Sequence, residues 1–155
     1  MMGTFLSFYF YFFLKAKIQT SAFAEFTESF LQYLIKAELG LLEARLEYEN
    51  TLKKIDKFDV VLLSMGEDGH IASLFPNHVY PEEQAVVVEN NSPKSPKQRI
   101  SMSYQQLNKA HYIFKLIIGE SKQQAVYLLQ KDTSLPITKV IGEYDKLYFC
   151  KNAIC

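Results

Sequence analysis

The feature that most constrains this chain is a continuous apolar run that ends in a polar turn with two glycines. Residues Phe58 to Leu63 are mostly aliphatic, and the turn Ser64–His70 follows at once. A short unbroken run of this kind is typical of a strand buried on both faces, as in a parallel sheet. The strands of a parallel sheet are joined by helices, so we expect an α/β fold.

Helical periodicity precedes this run, from Ser21 to about Ile55, and Gly40 is expected to divide it into two helices. The apolar positions of the first helix are Phe23, Phe26, Phe30 and Leu34, and those of the second are Leu42, Leu46, Leu52 and Ile55.

The same alternation of elements continues after the turn. We expect a short helix at Ile71–Phe75, ended by Pro76, and a second short helix capped by Ser103 and ending at Leu107. A further helix is predicted at residues 120–130, with Ala125, Leu128 and Leu129 on its apolar side. The remaining strands are predicted at residues 85–88, 99–103, 111–118 and 146–150.

The amino-terminal residues 3–14 read GTFLSFYFYFFL, a stretch too short to span a bilayer as a helix. Three interpretations stay open: a strand or helix of a buried core, which we favour, a weak membrane anchor, or a chain that starts inside a larger domain. Because the block is apolar on all sides, it needs a partner that covers it.

Size and charge narrow the possible functions. The chain has 155 residues, enough for one domain, and its 17 basic and 17 acidic residues cancel. The chain therefore has no strong positive electrostatic field that would recruit nucleic acid, and an anionic ligand needs a local cluster of Lys and Arg. The cysteines, Cys150 and Cys155, form no disulfide framework, which predicts a cytoplasmic protein.

The turn after the apolar run carries residues suited to chemistry. In α/β sheets, ligands bind beyond the carboxyl ends of the strands, where Gly66, Asp68, Gly69 and His70 lie. Glycine lets the backbone approach a ligand closely, and histidine moves protons near neutral pH. From these residues alone, a tight turn with a histidine bonded to its own backbone is an equally open interpretation.

A longer string favours the functional interpretation. Residues 65–78, MGEDGHIASLFPNH, closely resemble the signature of the 6-phosphogluconolactonases. Related glucosamine-6-phosphate deaminases share Asp-Gly-His but end in Ala-Phe-Asn-Glu-Pro, whereas Ala72–Pro76 follow the lactonase form. Residues 92–101, 119–122 and 135–136 resemble three further lactonase segments in the same order.

The resemblance extends from about Leu42 to Cys155 and includes departures. Ser64 stands where the family has its first signature glycine, and residues 1–41 contain neither the family's Ser-Gly-Gly loop nor its Asp-Glu-Arg motif. We therefore expect residues 21–155 to be the C-terminal portion of a single three-layer αβα domain of the NagB/RpiA-like type. Residues 1–20 would be an atypical apolar lead.

The resemblance implies hydrolysis of 6-phosphoglucono-δ-lactone to 6-phosphogluconate, in the oxidative pentose phosphate pathway. It makes His70 the general base. Asp68 would either fix the tautomer of the His70 imidazole and stabilise the imidazolium, or help to shape the turn. Backbone N–H groups of Gly66 and Gly69 would stabilise the oxyanion. Arg99 and Lys122 would bind the substrate phosphate.

The reaction needs no metal or organic cofactor, and the expected partner is a small sugar phosphate rather than nucleic acid or a membrane. Glu67, Asp68, His70 and His78 match no standard metal-ligand spacing. Lys94 and Lys97 are expected to decorate a mobile loop and not to contact the substrate. Two alternatives stay open: an enzyme similar to the glucosamine-6-phosphate deaminases, and an inactive fragment that binds sugar phosphates.

Overall fold

The computed structural model describes residues 13–14, 35–131 and 134–154. The strands are β1 (Phe13–Leu14), β2 (Val60–Ser64), β3 (Val86–Glu89), β4 (Arg99–Met102), β5 (Tyr112–Ile117) and β6 (Tyr144–Phe149). The α-helices are α1 (Leu41–Leu52), α2 (Tyr104–Leu107) and α3 (Gln123–Lys131). Single 3-10 turns occur at Ala37–Leu39, Glu120–Lys122, Pro136–Lys139 and Lys151–Ala153.

Parallel pairing organises the larger sheet, as the apolar run at residues 58–63 predicts. Its order is β1-β2-β5-β6, with β2, β5 and β6 parallel and β1 antiparallel to β2. Strand β1 belongs to the apolar lead, and its two described residues pair with β2. The prediction of a buried core element for residues 3–14 otherwise lies outside the described residues. Strands β3 and β4 form a separate antiparallel hairpin in which Glu89 lies opposite Arg99.

The core lies against one face of the larger sheet. Val61 and Leu63 of β2 and Ile113 and Ile117 of β5 are at most 2% exposed on that face. The alternate residues of β2 are only half-buried or exposed. The prediction that β2 is buried on both faces is therefore wrong for the described part of the chain, because only its core side is fully covered.

Helix α1 begins after Gly40, as predicted, because that residue has φ +84° and ψ 166°, a combination that favours glycine. The predicted apolar face is largely wrong. Leu42 and Leu46 are 70% and 49% exposed, and the buried face consists of Ala44, Tyr48 and Leu52. The helix carries two apolar stripes, and the one that includes the small Ala44 packs toward β3 and β4.

Later elements mix confirmed and incorrect predictions. Ser103 caps α2, since its Oγ accepts a hydrogen bond of 3.1 Å from Gln106 N. In α3 the buried residues are Ala125 and Val126, so the prediction for Leu128 is wrong: it is 36% exposed.

The helix predicted at residues 71–75 does not form. Backbone bridges join Ile71 to Met65 and to Leu74, and Ala72 has φ +52°, outside the right-handed helical region. The helix predicted at residues 21–34 lies outside the described residues. Within the described part, no helix has the length and hydrophobicity that crossing a membrane requires.

Candidate active site

The candidate site is the turn at the carboxyl end of β2. Gly66 N donates to the carbonyl of His70 at 2.7 Å, and Gly69 N donates to the carbonyl of Gly66 at 3.1 Å. These bonds close the turn on itself. Both N–H groups therefore already have hydrogen-bond acceptors within the turn, and neither needs a substrate oxyanion as an acceptor. Direct substrate contact by Gly66 and Gly69 stays a prediction.

Glycine at position 66 is required by the side chains above it. A Cβ atom on Gly66 would overlap the imidazole of His70 and lie 2.8 Å from Asp68 Oδ1. Gly69 is required for a different reason, since its φ of +84° favours glycine and a Cβ would lie 2.9 Å from Leu135 Cδ2. The two glycines therefore shape the turn so that the imidazole lies directly against the backbone.

Asp68 and His70 form a hydrogen-bonded pair in this turn. Asp68 Oδ1 contacts His70 Nδ1 and also accepts from the backbone N of His70 at 3.4 Å. Burial on its own would raise the pKa of Asp68, but the hydrogen bond and charge of His70, with backbone N–H groups, lower it to about 2. An ionised carboxylate only accepts hydrogen bonds, so Nδ1 carries the proton and Nε2 is the basic nitrogen of the neutral ring.

The imidazole of His70 is more enclosed than a histidine on an open turn. The residue is 3% exposed, and its ring centroid lies 4.7 Å from that of Phe75. The enclosure orients the ring and strengthens its bond to Asp68. It also means that a substrate must approach at the small exposed part of the ring, or that the turn must open.

Arg99 lies on the same aromatic ring as His70. Its Cζ is 5.4 Å from the centroid of Phe75, and the residue is 8% exposed. The guanidinium donates to three successive backbone carbonyls at 3.0–3.1 Å, namely those of Lys94, Ser95 and Pro96. Arg99 therefore organises the loop of residues 92–98, and its contact with a phosphate stays a prediction.

Lys94 is brought to the turn by that loop. Its Nζ lies 3.5 Å from Glu67 Oε2, in an ion pair whose side chains are 40% and 54% exposed. The exposed loop position agrees with the sequence, whereas the contact with the turn is not predicted by it. No local pattern reveals this position, because it depends on Arg99 binding the loop carbonyls. Lys97 is exposed, as expected.

Lys122 follows β5 in the 3-10 turn Glu120–Lys122 and is half-buried. Since β2 and β5 are parallel, this turn and the Ser64–His70 turn lie at the same edge of the sheet. Among the described residues, no hydrogen bond or ion pair joins the Lys122 side chain to the His70 turn. Its contact with a substrate stays a prediction.

The polar groups of the described residues offer no metal centre. Across these ranges, no three His, Cys, Asp or Glu side chains gather so that they could hold an ion.

A comparison with known families agrees with this geometry. Residues 13–149 match the family model described as glucosamine-6-phosphate isomerases/6-phosphogluconolactonase. The chain belongs to this family. The match covers the whole candidate site, both loops that carry cations, and the three parallel strands.

Individual relatives point to the lactonase side of this family. The chain is 33% identical over 132 residues to 6-phosphogluconolactonase 3, chloroplastic, of Arabidopsis thaliana, covering 74% of this chain and 41% of that protein. It is 32% identical over 124 residues to human 6-phosphogluconolactonase, covering 73% of this chain and 48% of that protein. The chain thus spans somewhat less than half the length of these relatives.

A solved structure shows the same fold. A 6-phosphogluconolactonase from Thermotoga maritima superposes with a TM-score of 0.66 at 31% identity, over 74% of this chain and 53% of that one. The predicted α/β architecture of the NagB/RpiA-like type is confirmed.

Proposed function

We propose that this chain carries the catalytic turn of a 6-phosphogluconolactonase and acts on 6-phosphoglucono-δ-lactone. The observation that carries the proposal is the Asp68–His70 pair at the carboxyl end of β2, in a turn where any side chain at position 66 would overlap the imidazole. The family relationship and the lactonase names of its relatives support the same substrate. The cytoplasmic location stays a prediction.

The arrangement suits general-base hydrolysis of an ester. His70 Nε2 takes a proton from water as the water oxygen attacks the lactone carbonyl carbon. Asp68 stabilises the imidazolium that forms. When the tetrahedral intermediate collapses, the bond between the carbonyl carbon and the ring oxygen breaks, and the imidazolium returns its proton to that oxygen. Such acid–base assistance is typically worth about 10²–10⁴-fold in rate.

Cations near the turn support an anionic substrate. Arg99 lies against the same ring as His70, Lys94 reaches Glu67 of the turn, and Lys122 lies at the same edge of the sheet. A lysine supplies a point charge for a phosphate, and arginine supplies a planar fork. We propose that these residues hold the phosphate of the lactone.

One contact disfavours the deaminase alternative. Aligned on Ala72 and Pro76, the deaminase ending Ala-Phe-Asn-Glu-Pro has a glutamate at position 75. Phe75 stands there instead, and its ring packs on His70. The acidic side chain that the deaminase form carries at this position is therefore absent, which favours the lactonase form.

Three assays on the purified chain test the proposal. Hydrolysis of 6-phosphoglucono-δ-lactone above its spontaneous rate supports it, and ammonia released from glucosamine 6-phosphate would replace it with the deaminase. Calorimetry with 6-phosphogluconate, the reaction product, completes the set. Binding without turnover would show that this chain is a sugar-phosphate-binding protein and would overturn the enzymatic proposal.

A further inference from the structure

A second histidine–carboxylate pair lies close to the candidate site and has no part in the mechanism above. Glu89, the last residue of β3, is 4% exposed. Burying a carboxylate is costly unless hydrogen bonds replace its water. The hydrogen-bond donors around Glu89 therefore indicate the structural role of this carboxylate.

Three donors converge on the Glu89 carboxylate at 2.6 Å each. His78 Nδ1 and Tyr80 Oη donate to Oε2, and Asn91 N donates to Oε1. Burial alone would raise the pKa of Glu89, but these hydrogen bonds hold it below its ordinary value. The group is an ionised carboxylate whose partners come from two segments, residues 78–80 and the β3–β4 hairpin.

Tyr80 extends this network toward the catalytic turn. Its hydroxyl has one proton, which goes to Glu89 Oε2 at 2.6 Å rather than to the carbonyl of Ser73 at 3.2 Å. The same oxygen accepts a hydrogen bond of 3.0 Å from Phe75 N. Tyr80 thus joins Glu89 to the backbone of the residue whose ring packs on His70.

Glu89 also lies directly opposite Arg99 in the hairpin. Arg99 binds the carbonyls of residues 94–96, and this loop places Lys94 beside Glu67. The hairpin therefore carries two of the three candidate phosphate-binding cations, and Glu89 joins the hairpin to the segment that follows His70.

A parallel contact links the two segments independently. Ser101 of β4 accepts a hydrogen bond of 3.1 Å from Ser73 N through its Oγ. The ring of Phe75 lies between those of His70 and His78, at centroid distances of 4.7 and 5.8 Å. A shift of the hairpin relative to residues 73–80 would thus move Arg99 relative to His70.

We propose that Glu89 is a positioning residue, and that its hydrogen bonds to His78 and Tyr80 fix the cation-bearing hairpin at the distance from His70 that the substrate requires. Glu89 does not touch the reacting atoms in this account. It acts by holding Arg99 and Lys94 in place. The consequence for catalysis rests on the proposed lactonase function, whereas the positioning itself does not.

Amide hydrogen exchange tests the positioning without any turnover. In Glu89→Gln we expect the amides of Phe75, Asn91 and Ser92 to exchange about tenfold faster or more, in line with loss of hydrogen bonds to a charged group. Amides of β5 and α3 serve as the internal reference, because a merely global loss of stability would accelerate them equally. Wild-type rates at Phe75, Asn91 and Ser92, or an equal acceleration of the reference amides, would overturn the proposal.

Two milder variants keep the test decisive if Glu89→Gln does not fold. His78→Gln and Tyr80→Phe each leave the carboxylate in place with two of its three donors. Both are expected to accelerate the same local amides, by less than Glu89→Gln. If neither does so, the hydrogen bonds do not hold the hairpin.

The chain offers a matched control at the opposite end of the sheet. His111 precedes β5, and its Nδ1 lies 2.6 Å from Glu143 Oε2, the same separation as in the His78–Glu89 pair. The two histidines are almost equally exposed, 30% for His111 and 29% for His78, but the Glu143 side chain is 55% exposed and that of Glu89 only 5%. We expect His111→Gln to change neither the exchange of residues 75–92 nor substrate binding.

Kinetics then test the link to the substrate. For lactone hydrolysis, we expect His78→Gln to raise KM about tenfold and to change kcat less than about threefold, the pattern of lost binding rather than lost chemistry. A fall in kcat at unchanged KM would overturn the positioning role. Absence of turnover in the wild type would instead contradict the proposed function, and hydrogen exchange would still decide the role of Glu89.

Discussion

The smallest change that tests the site is Gly66→Ala. A Cβ atom at this position would overlap the His70 imidazole and lie 2.8 Å from Asp68 Oδ1. The backbone of Gly66 is not in the left-handed region, so the added methyl acts through this contact and not through backbone strain. To accommodate it, the ring must leave Asp68 or the turn must shift.

The expected magnitudes differ for stability and for catalysis. Forcing a methyl into a packed site typically costs about 1–3 kcal/mol of unfolding free energy. Displacing the general base from its carboxylate removes an effect typically worth about 10²–10⁴-fold in rate. We therefore expect a modest loss of thermal stability together with a loss of kcat/KM of about 100-fold or more.

Gly40→Ala is the matched control for this variant. Gly40 has φ +84° and ψ 166°, and nothing lies within 4 Å of a Cβ atom built on it. Alanine in that backbone region costs about 1–3 kcal/mol through strain alone. The two variants should therefore lose similar stability, and only Gly66→Ala should lose turnover. Thermal denaturation and the lactone assay measure both, and equal kcat/KM in the two variants would refute the reasoning.

Three further predictions concern stability. The pKa of Asp68 is lowered from 3.8 to about 2. The ionised carboxylate therefore makes its full contribution to the free energy of unfolding above about pH 4, and that contribution is lost as the pH falls toward 2. In urea denaturation, Asp68→Asn should differ from wild type above about pH 4 and converge with it near pH 2. Lys115 is 6% exposed and donates to Asp145 Oδ2 at 2.7 Å. Asp145→Asn should therefore cost about 1–3 kcal/mol of unfolding free energy by leaving the lysine without its charged acceptor. The further change Lys115→Met should restore that loss, whereas additive losses would contradict it. Leu135→Ala, which removes the buried side chain against Gly69, should cost about 2–5 kcal/mol in thermal denaturation, and a cost below about 1 kcal/mol would show that Leu135 does not support the turn.

The sequence identified the strand and turn that carry the chemistry because both signals are local. An unbroken apolar run predicts β2, and glycines beside Asp68 and His70 predict the turn. Ser103 was likewise identified as a cap, since its hydrogen bond spans three residues. These elements depend on neighbours in the chain and on little else.

Features that depend on contacts between distant parts of the chain could not be predicted from the sequence. The buried face of α1 is the one with Ala44, Tyr48 and Leu52, and the helix packs on β3 and β4, a long-range contact that periodicity does not reveal. Lys94 lies beside the turn because Arg99 binds the carbonyls of its loop. Glu89 accepts hydrogen bonds from residues that precede it in the chain and from one that follows it. A buried carboxylate can be recognised only after the fold shows that it is buried.

The most direct test of the account is the rate of 6-phosphoglucono-δ-lactone hydrolysis by wild type, His70→Ala and His111→Ala. We expect His70→Ala to lose the enzymatic rate by about 10²–10⁴-fold, with its thermal unfolding still cooperative, and His111→Ala to retain wild-type turnover. Equal turnover by His70→Ala and wild type would contradict the claim that this imidazole is the base.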